Sequence, residues 1–555
     1  MRNGRSRVDN KWQSSNLRSM PNREFGVTQL LGVFEWGPEE VTAVTSFDDF
    51  KLKYGGFSVD YHAALHAYLY FAMGGTKLWV KRVFHYLNHT SDIDPLTAAK
   101  GTVTLVSGAA GPYGVQNTLR ADGLYYGDLA LTVQPVAAQS GLAGYFDLLV
   151  FHPREIQPIE WIRNVTMDST SNDYVEDVVN TSARRSNYVK VTDLLASGTV
   201  TQRMPAALGS AVALVGGDDG LAALVDADYV GGTAGRTGLY GFQLVNEGNM
   251  MLVPDGLSST VQNAAISYCE NYQYKQEKVI YIPETQAGLG YLAAVAQYSA
   301  LTGSRAKTGM AWPRVRITNP DKTVFGLNND NIVCGYGGLL AGLICGQSKR
   351  YLAQMAVNPS NQDFGWLNDM VVGLEGADDK HEVLDPNVQN YVTDYGINPI
   401  LFGRHERTGR YGAWFNDCQS GEDVTTELEL ESIGNQMLCS HLRYRHTAFL
   451  ERHRTQGNSK RRRGIIQKAL IEDNKYWTSL GVFASDSANE AFFVNVDPEG
   501  ENINNAVVQR QQKLVVKEGF AFASPARFVD LYFTRDNRAV ESYMSQAAKA
   551  AGIAG

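Results

Sequence analysis

The chain has few of the residue patterns that catalysis, secretion or membrane insertion would require. It holds five cysteines in 555 residues, Cys269, Cys334, Cys345, Cys418 and Cys439, and no two form a C-x-x-C pair. An odd count at such spacings gives neither a disulfide framework nor a zinc site, so buried free thiols are expected. The longest apolar run, near Gly337 to Cys345, is far too short to span a bilayer. The opening segment MRNGRSRVDNKWQSSN is basic but carries no apolar stretch of the kind that directs secretion. A soluble protein made in the cytosol, without membrane insertion, is the expectation. Net charge is −8, which argues against the broad basic face of a dedicated duplex binder, so no direct nucleic-acid partner is expected.

Catalytic signatures are equally scarce. The glycine stretch GGTAGRTG (231–238) invites a phosphate-loop reading, but no lysine follows its glycines to reach a phosphate. Neither G-x-G-x-x-G nor G-x-S-x-G occurs. HAALH places His62 and His66 one helical turn apart, as in zinc-binding H-E-x-x-H helices, yet Ala63 stands where the glutamate is required. His441 and His446 lie five apart and point to different faces of a helix. The acid pairs Asp48-Asp49, Asp218-Asp219 and Asp378-Asp379 fall at caps or in loops, where solvation accounts for them. No catalytic, cofactor-binding or metal-ligating residue is assigned, and an enzyme is not expected.

With 44% apolar and 19% charged residues the chain suits a globular fold, and its length suits several domains. Residues 1–24 are polar, rich in Arg, Asn and Ser, and read as an arm. GVTQLLGVFEWGP alternates like a strand and ends in a Gly-Pro turn. Ser46, followed by Asp48 and Asp49, should cap a helix. An apolar helix stopped at Gly74-Gly75 and the strand KLWVKRV complete an α/β unit. From about 101 to 214 short β runs recur (TVTLV, LALTVQPV, GYFDLLVF, IEWIRNVT, NYVKVT), which points to an inserted β-rich domain. The α/β pattern returns at 215, and residues 355–400 read as loop-rich.

A long helix is expected from Thr425 to about Glu451 and a second from Arg461 to about Leu480. Strands EAFFVNVD, QKLVVKEGFAFAS and RFVDLYFT close the chain. The fold class is therefore α/β (α+β) and multidomain. Its parts are an arm at 1–24, a discontinuous α/β framework at 25–99 and 215–400, a β-rich insert at 101–214, a helix-pair and small-sheet domain at 401–535, and a tail at 536–555. Between the two helices lies the most basic stretch of the chain: Arg443 to Arg463 holds eight Lys/Arg against one Glu. Cations at a helix start oppose its dipole, so something should compensate Lys460 to Arg463.

Several stretches, in order, resemble the contractile tail sheath proteins of phages. GVFEWGPEEVTAVTSFDDFKLKYGGF, a helix and MGGTKLWVKRV are similar to that family's N-terminal signature. EWIRNVTMDSTSNDYVEDVVNTSARRSNYVKV resembles its β-rich segment, and DADYVGG, RTGLYGF, NMMLVPDG and AWPRVRITNPD its next blocks. NYVTDYGINPILF, the paired helices, EAFFVNVD and GFAFASPARFVDLYFTR are similar to its C-terminal part. The family's frequent PGVY opening is replaced here by residues 1–24.

The resemblance implies a structural subunit that polymerises as stacked hexameric rings around a tail tube and contracts without ATP to drive the tube through a cell envelope. It implies a place in the virion tail after assembly in the host cytoplasm. The partners would be neighbouring sheath subunits, the tube protein, and baseplate and terminator proteins. It further implies arms that add strands to neighbours, with Phe528, Val529, Leu531, Tyr532 and Phe533 on the C-terminal one. It would turn Arg452, Arg454, Lys460, Arg461, Arg462 and Arg463 toward an anionic tube. A β-rich virion surface or receptor-binding protein is the alternative. That reading requires Tyr125, Tyr126, Tyr145 and Trp161 of the insert to share one face.

Overall fold

A computed structural model of the chain describes residues 26–86 and 99–522, apart from 109–111, 128–130, 154, 219, 246, 272–278, 303–307, 351–365, 368–369, 376–384, 405–410, 417–418, 422–431, 455, 486–487 and 497–502. The two expected arms, the strand RFVDLYFT, His89 and Cys418 lie outside the described residues.

The apolar runs TQLLG, LWVKR, MML and IYI form parallel strands, the expected outcome when a sheet is covered on both faces. The five-stranded sheet runs Ile280–Ile282, Met250–Leu252, Thr28–Gly32, Leu78–Arg82, Thr42–Val44, with only the last strand antiparallel. Thr28–Gly32 sits at its centre and is buried along its whole length, with Leu30 opposite both Leu252 and Val80. The helix Phe47–Tyr54 starts as expected, Ser46 Oγ accepting from the Asp49 amide at 3.0 Å.

A helix pair covers this sheet. Ala63–Ala72 packs against Gly337–Arg350, and the contact is close because three glycines face it. A Cβ on Gly338 would lie 2.4 Å from the His66 carbonyl oxygen, one on Gly342 2.4 Å from that of Tyr70, and one on Gly346 2.7 Å from that of Met73. The spacing of four residues puts all three on one stripe.

The β-rich insert has two sheets of its own. Lys100–Val106, Asn117–Tyr126 and Val189–Asp193 make one, and Val212–Ala213, Thr132–Ala137, Tyr145–Phe151 and Glu160–Thr166 the other. Its buried residues, from Val103 to Leu214, form a core separate from that of the central sheet. A short helix, Val175–Asn180, which the sequence reading did not foresee, fills part of it. The junction is polar and tight. Buried Arg82 donates from Nη1 to the Tyr126 carbonyl at 2.8 Å, and Trp36 and His152 bring their rings to 4.8 Å.

The C-terminal region is continuous with the centre: one core cluster runs from Leu30 to Phe522. The expected boundary at 400 falls inside a strand, Ile397–Arg404, which pairs with Met310–Trp312 and Tyr411–Phe415. Residues 355–400 are also less irregular than expected. They carry the strand Val371–Leu374 and the helix Pro386–Asp394, whose capping Asp385 and first-turn proline mark its start. Cys269, Cys334 and Cys345 are buried free thiols, and Cys439 is a half-buried one.

Substituting Gly342 by alanine is expected to lower stability by about 1–3 kcal/mol, because the methyl group can enter only by separating the two helices. The shift in the midpoint of chemical denaturation measures it.

Candidate functional site

The residues that might have carried chemistry serve the core instead. In an open parallel sheet, ligands bind beyond the carboxyl ends of the strands, where the strand order reverses. Here that point lies between Thr28–Gly32 and Met250–Leu252. Two of the chain's own carboxylates occupy this region. Asp255, three residues past its strand, accepts from the His62 amide at 2.7 Å, at the start of the helix Ala63–Ala72. Glu284 follows Ile280–Ile282 and accepts from the Gly337 amide at 2.6 Å and the Tyr336 amide at 3.2 Å, at the start of the other helix. Helix N-termini favour negative charge, and each carboxylate fills the place a bound anion would take.

His66 Nδ1 accepts from the Gly338 amide at 3.0 Å and is a helix-to-helix strut. Burial, with His62 and Arg314 nearby, holds His66 well below the usual histidine range, and it stays neutral. His62 is half-buried and lies 3.4 Å from Arg314. Burial pushes Asp255 up to about 6, against the opposing amide bonds and Arg314. Burial likewise pushes Glu284 up to about 7. His85 contacts Asp228 at 2.9 Å. Among the described residues no group of three His, Cys, Asp or Glu is placed to hold a metal ion.

The glycine stretch 231–238 borders a cleft of about 640 Å³ shared with Trp79 and Lys81. Three carboxylates, Glu39, Glu40 and Glu247, also line it, an environment that disfavours a phosphate.

The C-terminal helix pair is the other concentration of function-bearing residues. Its first helix is Ile433–Glu451, after an extended Ser432; the expected start, Thr425, lies outside the described residues. The second is Lys460–Ser479, capped by Ser459, whose Oγ accepts from the Arg462 amide at 3.3 Å. Its buried stripe is Ile466, Ala469, Leu470, Asp473 and Trp477. Helical spacing sets the Asp473 carboxylate among Ile466, Leu470 and Trp477 on a buried face that also holds Asn474 and Thr478.

Asp473 is met from the first helix. Arg445 donates to it from Nε at 2.9 Å and Nη2 at 2.7 Å, and His446 Nε2 lies 3.2 Å away. The other His446 nitrogen, Nδ1, is 2.7 Å from Glu518 on the strand Lys517–Phe520. Burial raises the Asp473 carboxyl, but His446 and Arg445 outweigh it and hold it down at about 2. Burial works against a charged His446 too, yet the two carboxylates prevail and hold its pKa at about 9. His441, on another face of its helix, packs on Trp477 with ring centres 5.7 Å apart.

Within the basic run, Arg452, Arg454, Lys460 and Arg461 are exposed. Arg462 is half-buried and donates to the Gly457 carbonyl at 3.4 Å. Arg463 is only 8% exposed, and its Nη1 bonds the Asn458 side chain at 3.1 Å and the Asn458 carbonyl at 3.4 Å. The compensation for two of the four cations is thus internal: the oxygens of the preceding turn. Arg463 belongs to the fold rather than to the exposed basic face.

Beside the helix pair, Phe492–Asn495 and Lys517–Phe520 form a two-stranded antiparallel sheet, with Phe493 58% exposed on it. The insert's four aromatics are divided. Tyr125 and Tyr126 lie on the three-stranded sheet, Tyr145 and Trp161 on the four-stranded one.

This architecture has close counterparts among solved structures. The sheath tail protein of Listeria innocua superposes with a TM-score of 0.54 at 11% identity, over 86% of this chain and 90% of its own. That of Desulfitobacterium hafniense gives 0.51 at 11%, over 87% and 93%. The chain has the fold of contractile tail sheath proteins. The helical sheath of the anti-feeding prophage in its contracted state matches as well, with a TM-score of 0.50 and 14% identity over 95% and 98%. No protein-family model matches the sequence, and no curated protein does. The polar groups at the central sheet serve its packing.

Asp255 and Glu284 have folded-state pKa values above their ordinary ones. Their contribution is fully present below about 4 and is lost as pH rises through about 6 and about 7. The contribution of these two groups to the denaturation midpoint is therefore expected to decline between about pH 4 and 7. Glu284→Gln should remove the part of the decline near 7, and an unchanged profile in that variant would contradict the assignment.

Proposed function

We propose that this chain is the structural subunit of a contractile tail sheath. The observation that carries this reading is the sheath fold, matched over most of the chain. Subunits would stack as hexameric rings around a tail tube in the virion tail, after assembly in the host cytoplasm, with baseplate and terminator proteins at the ends.

The physical features suit such a role. An interface between unlike surfaces of one chain generates helical stacks. A two-stranded sheet is marginal by itself and gains most from added strands, and Phe492–Asn495 with Lys517–Phe520 is such a sheet. The segment holding Phe528, Val529, Leu531, Tyr532 and Phe533 would supply a strand to a neighbour. Contraction then needs no nucleotide. Rigid subunits rotate from a metastable lattice into one with more contacts, tethered by the exchanged strands. Arg452, Arg454, Lys460 and Arg461, with Arg462 at their margin, would face an acidic tube surface.

Electron microscopy of the purified protein is expected to show long hollow tubes, and globular particles alone would exclude the reading. Deleting residues 526–555 should leave a folded subunit that forms no tubes. Arg461→Glu with Arg462→Glu should abolish tube-templated assembly and spare tube-free polymers. Normal tails from that double variant would remove the basic turn from the tube contact.

A further inference from the structure

The cluster around His446 joins three elements: Arg445 and His446 on the first helix, Asp473 on the second, and Glu518 on the small sheet. Its geometry prescribes a protonation state. Both imidazole nitrogens face carboxylate oxygens, at 2.7 and 3.2 Å. A neutral imidazole has one N–H, and its bare nitrogen would meet an anion lone pair to lone pair. Only the imidazolium donates at both ends. With it the four groups sum to zero charge, two cations against two carboxylates. Without it a net negative charge stays in a site where His446 is 4% and Asp473 6% exposed at the side chain.

Glu518 would suffer most from that loss. Among the described residues its buried Oε1 has no hydrogen-bond partner, so the imidazolium is what holds this carboxylate in place. Arg445 directs its donors to Asp473, and the neighbouring Lys517 is exposed. The Phe520 ring, 6.1 Å from the His446 ring, packs from the same strand and offers no charge.

We propose that the His446 imidazolium is a proton-operated latch that holds the strand Lys517–Phe520, and with it the small sheet, against the helix pair. Loss of the proton frees the strand by leaving Glu518 and Asp473 as unbalanced neighbours. The group has a raised folded-state pKa, so its stabilisation is complete below about 6.5 and disappears as pH rises through about 9. The subunit is thus latched at neutral pH and unlatched by alkali. The latch itself does not require the sheath reading; its consequence for assembly does.

The test is amide hydrogen exchange on the full chain before assembly, corrected for the intrinsic effect of pH. Protection in 492–495 and 517–520 is expected to fall at least about tenfold between pH 7.5 and 10, while the central sheet keeps its own. His446→Gln should show low protection at both pH values and no step. Glu518→Gln, which removes one carboxylate facing the imidazolium, should move the step to lower pH. His441→Gln should leave it in place. A wild-type chain protected through pH 10, a step that persists in His446→Gln, or an unmoved step in Glu518→Gln would each overturn the latch, whether or not tubes form. Absence of tubes at pH 7.5 with the step intact would overturn the sheath reading and leave the latch standing.

Discussion

A buried carboxylate, Glu284, ties the central sheet to one of the helices that cover it. Its two oxygens take the amides of Tyr336 and Gly337 and so fix where the helix Gly337–Arg350 begins. That start point sets the register of Gly338, Gly342 and Gly346 against the helix Ala63–Ala72, where backbone meets backbone with no room for a methyl group. His66 bonds the Gly338 amide beside it, and Asp255 performs the same service for the other helix. Helix-dipole attraction favours both carboxylates, burial opposes them, and their raised pKa values show that burial is the larger effect. The polar cluster is therefore retained for geometry: it positions two helices on one sheet.

The C-terminal cluster has the opposite balance. Arg445 and the His446 imidazolium match Asp473 and Glu518 charge for charge, and the surrounding cations draw Asp473 far down. Such a pair is costly to break from one side, about 3–5 kcal/mol, because the survivor is left buried and unpaired. The two clusters thus respond to pH through different groups and in different ranges. The central one weakens around neutrality and the C-terminal one in alkali. Phe492 of the small sheet and Phe522 just past it pack into the common core, so loosening the small sheet means opening that margin of the core while the buried central strands stay paired.

Much of this architecture was legible in the sequence where local chemistry decides. Ser46 with two acids after it, Gly74-Gly75, Asp385-Pro386 and Ser459 each act on their own neighbours, and the first two are legible as a cap and a stop. The β-rich insert was visible in its alternation, though not its helix Val175–Asn180. The functional clusters were not legible, because their partners are distant. His66 meets a backbone amide 272 residues away, and His446 meets a carboxylate 72 away. The HAALH spacing suggested a metal helix or idle packing, and neither describes a histidine that braces another helix. Asp473 did leave a trace, as a charge on the stripe of Ile466, Leu470 and Trp477. A charge on an apolar stripe says that a partner exists without saying which. The basic run was misleading in one respect: side chains long enough to fold back, such as Arg463, can neutralise their own turn.

For the proposed sheath subunit, these features bear on why the chain would be built in two tempers. The central sheet is parallel apart from one edge strand, and the two helices on it meet backbone to backbone; such packing transmits force without deforming. The small sheet has two short strands, and its attachment to the helices includes one protonated ring. Edges of this kind are hazards in a monomer, since they recruit strands without discrimination. In a subunit that joins its neighbours by strands, the same edge is the joint. The charge cluster adds a directional hold to the apolar contacts that Phe492, Val494 and Phe520 already make. Rigidity where load passes and marginal stability where strands are exchanged are compatible in one chain only if separate groups hold them. Glu284 and His446, in different clusters and with different pKa ranges, meet that condition.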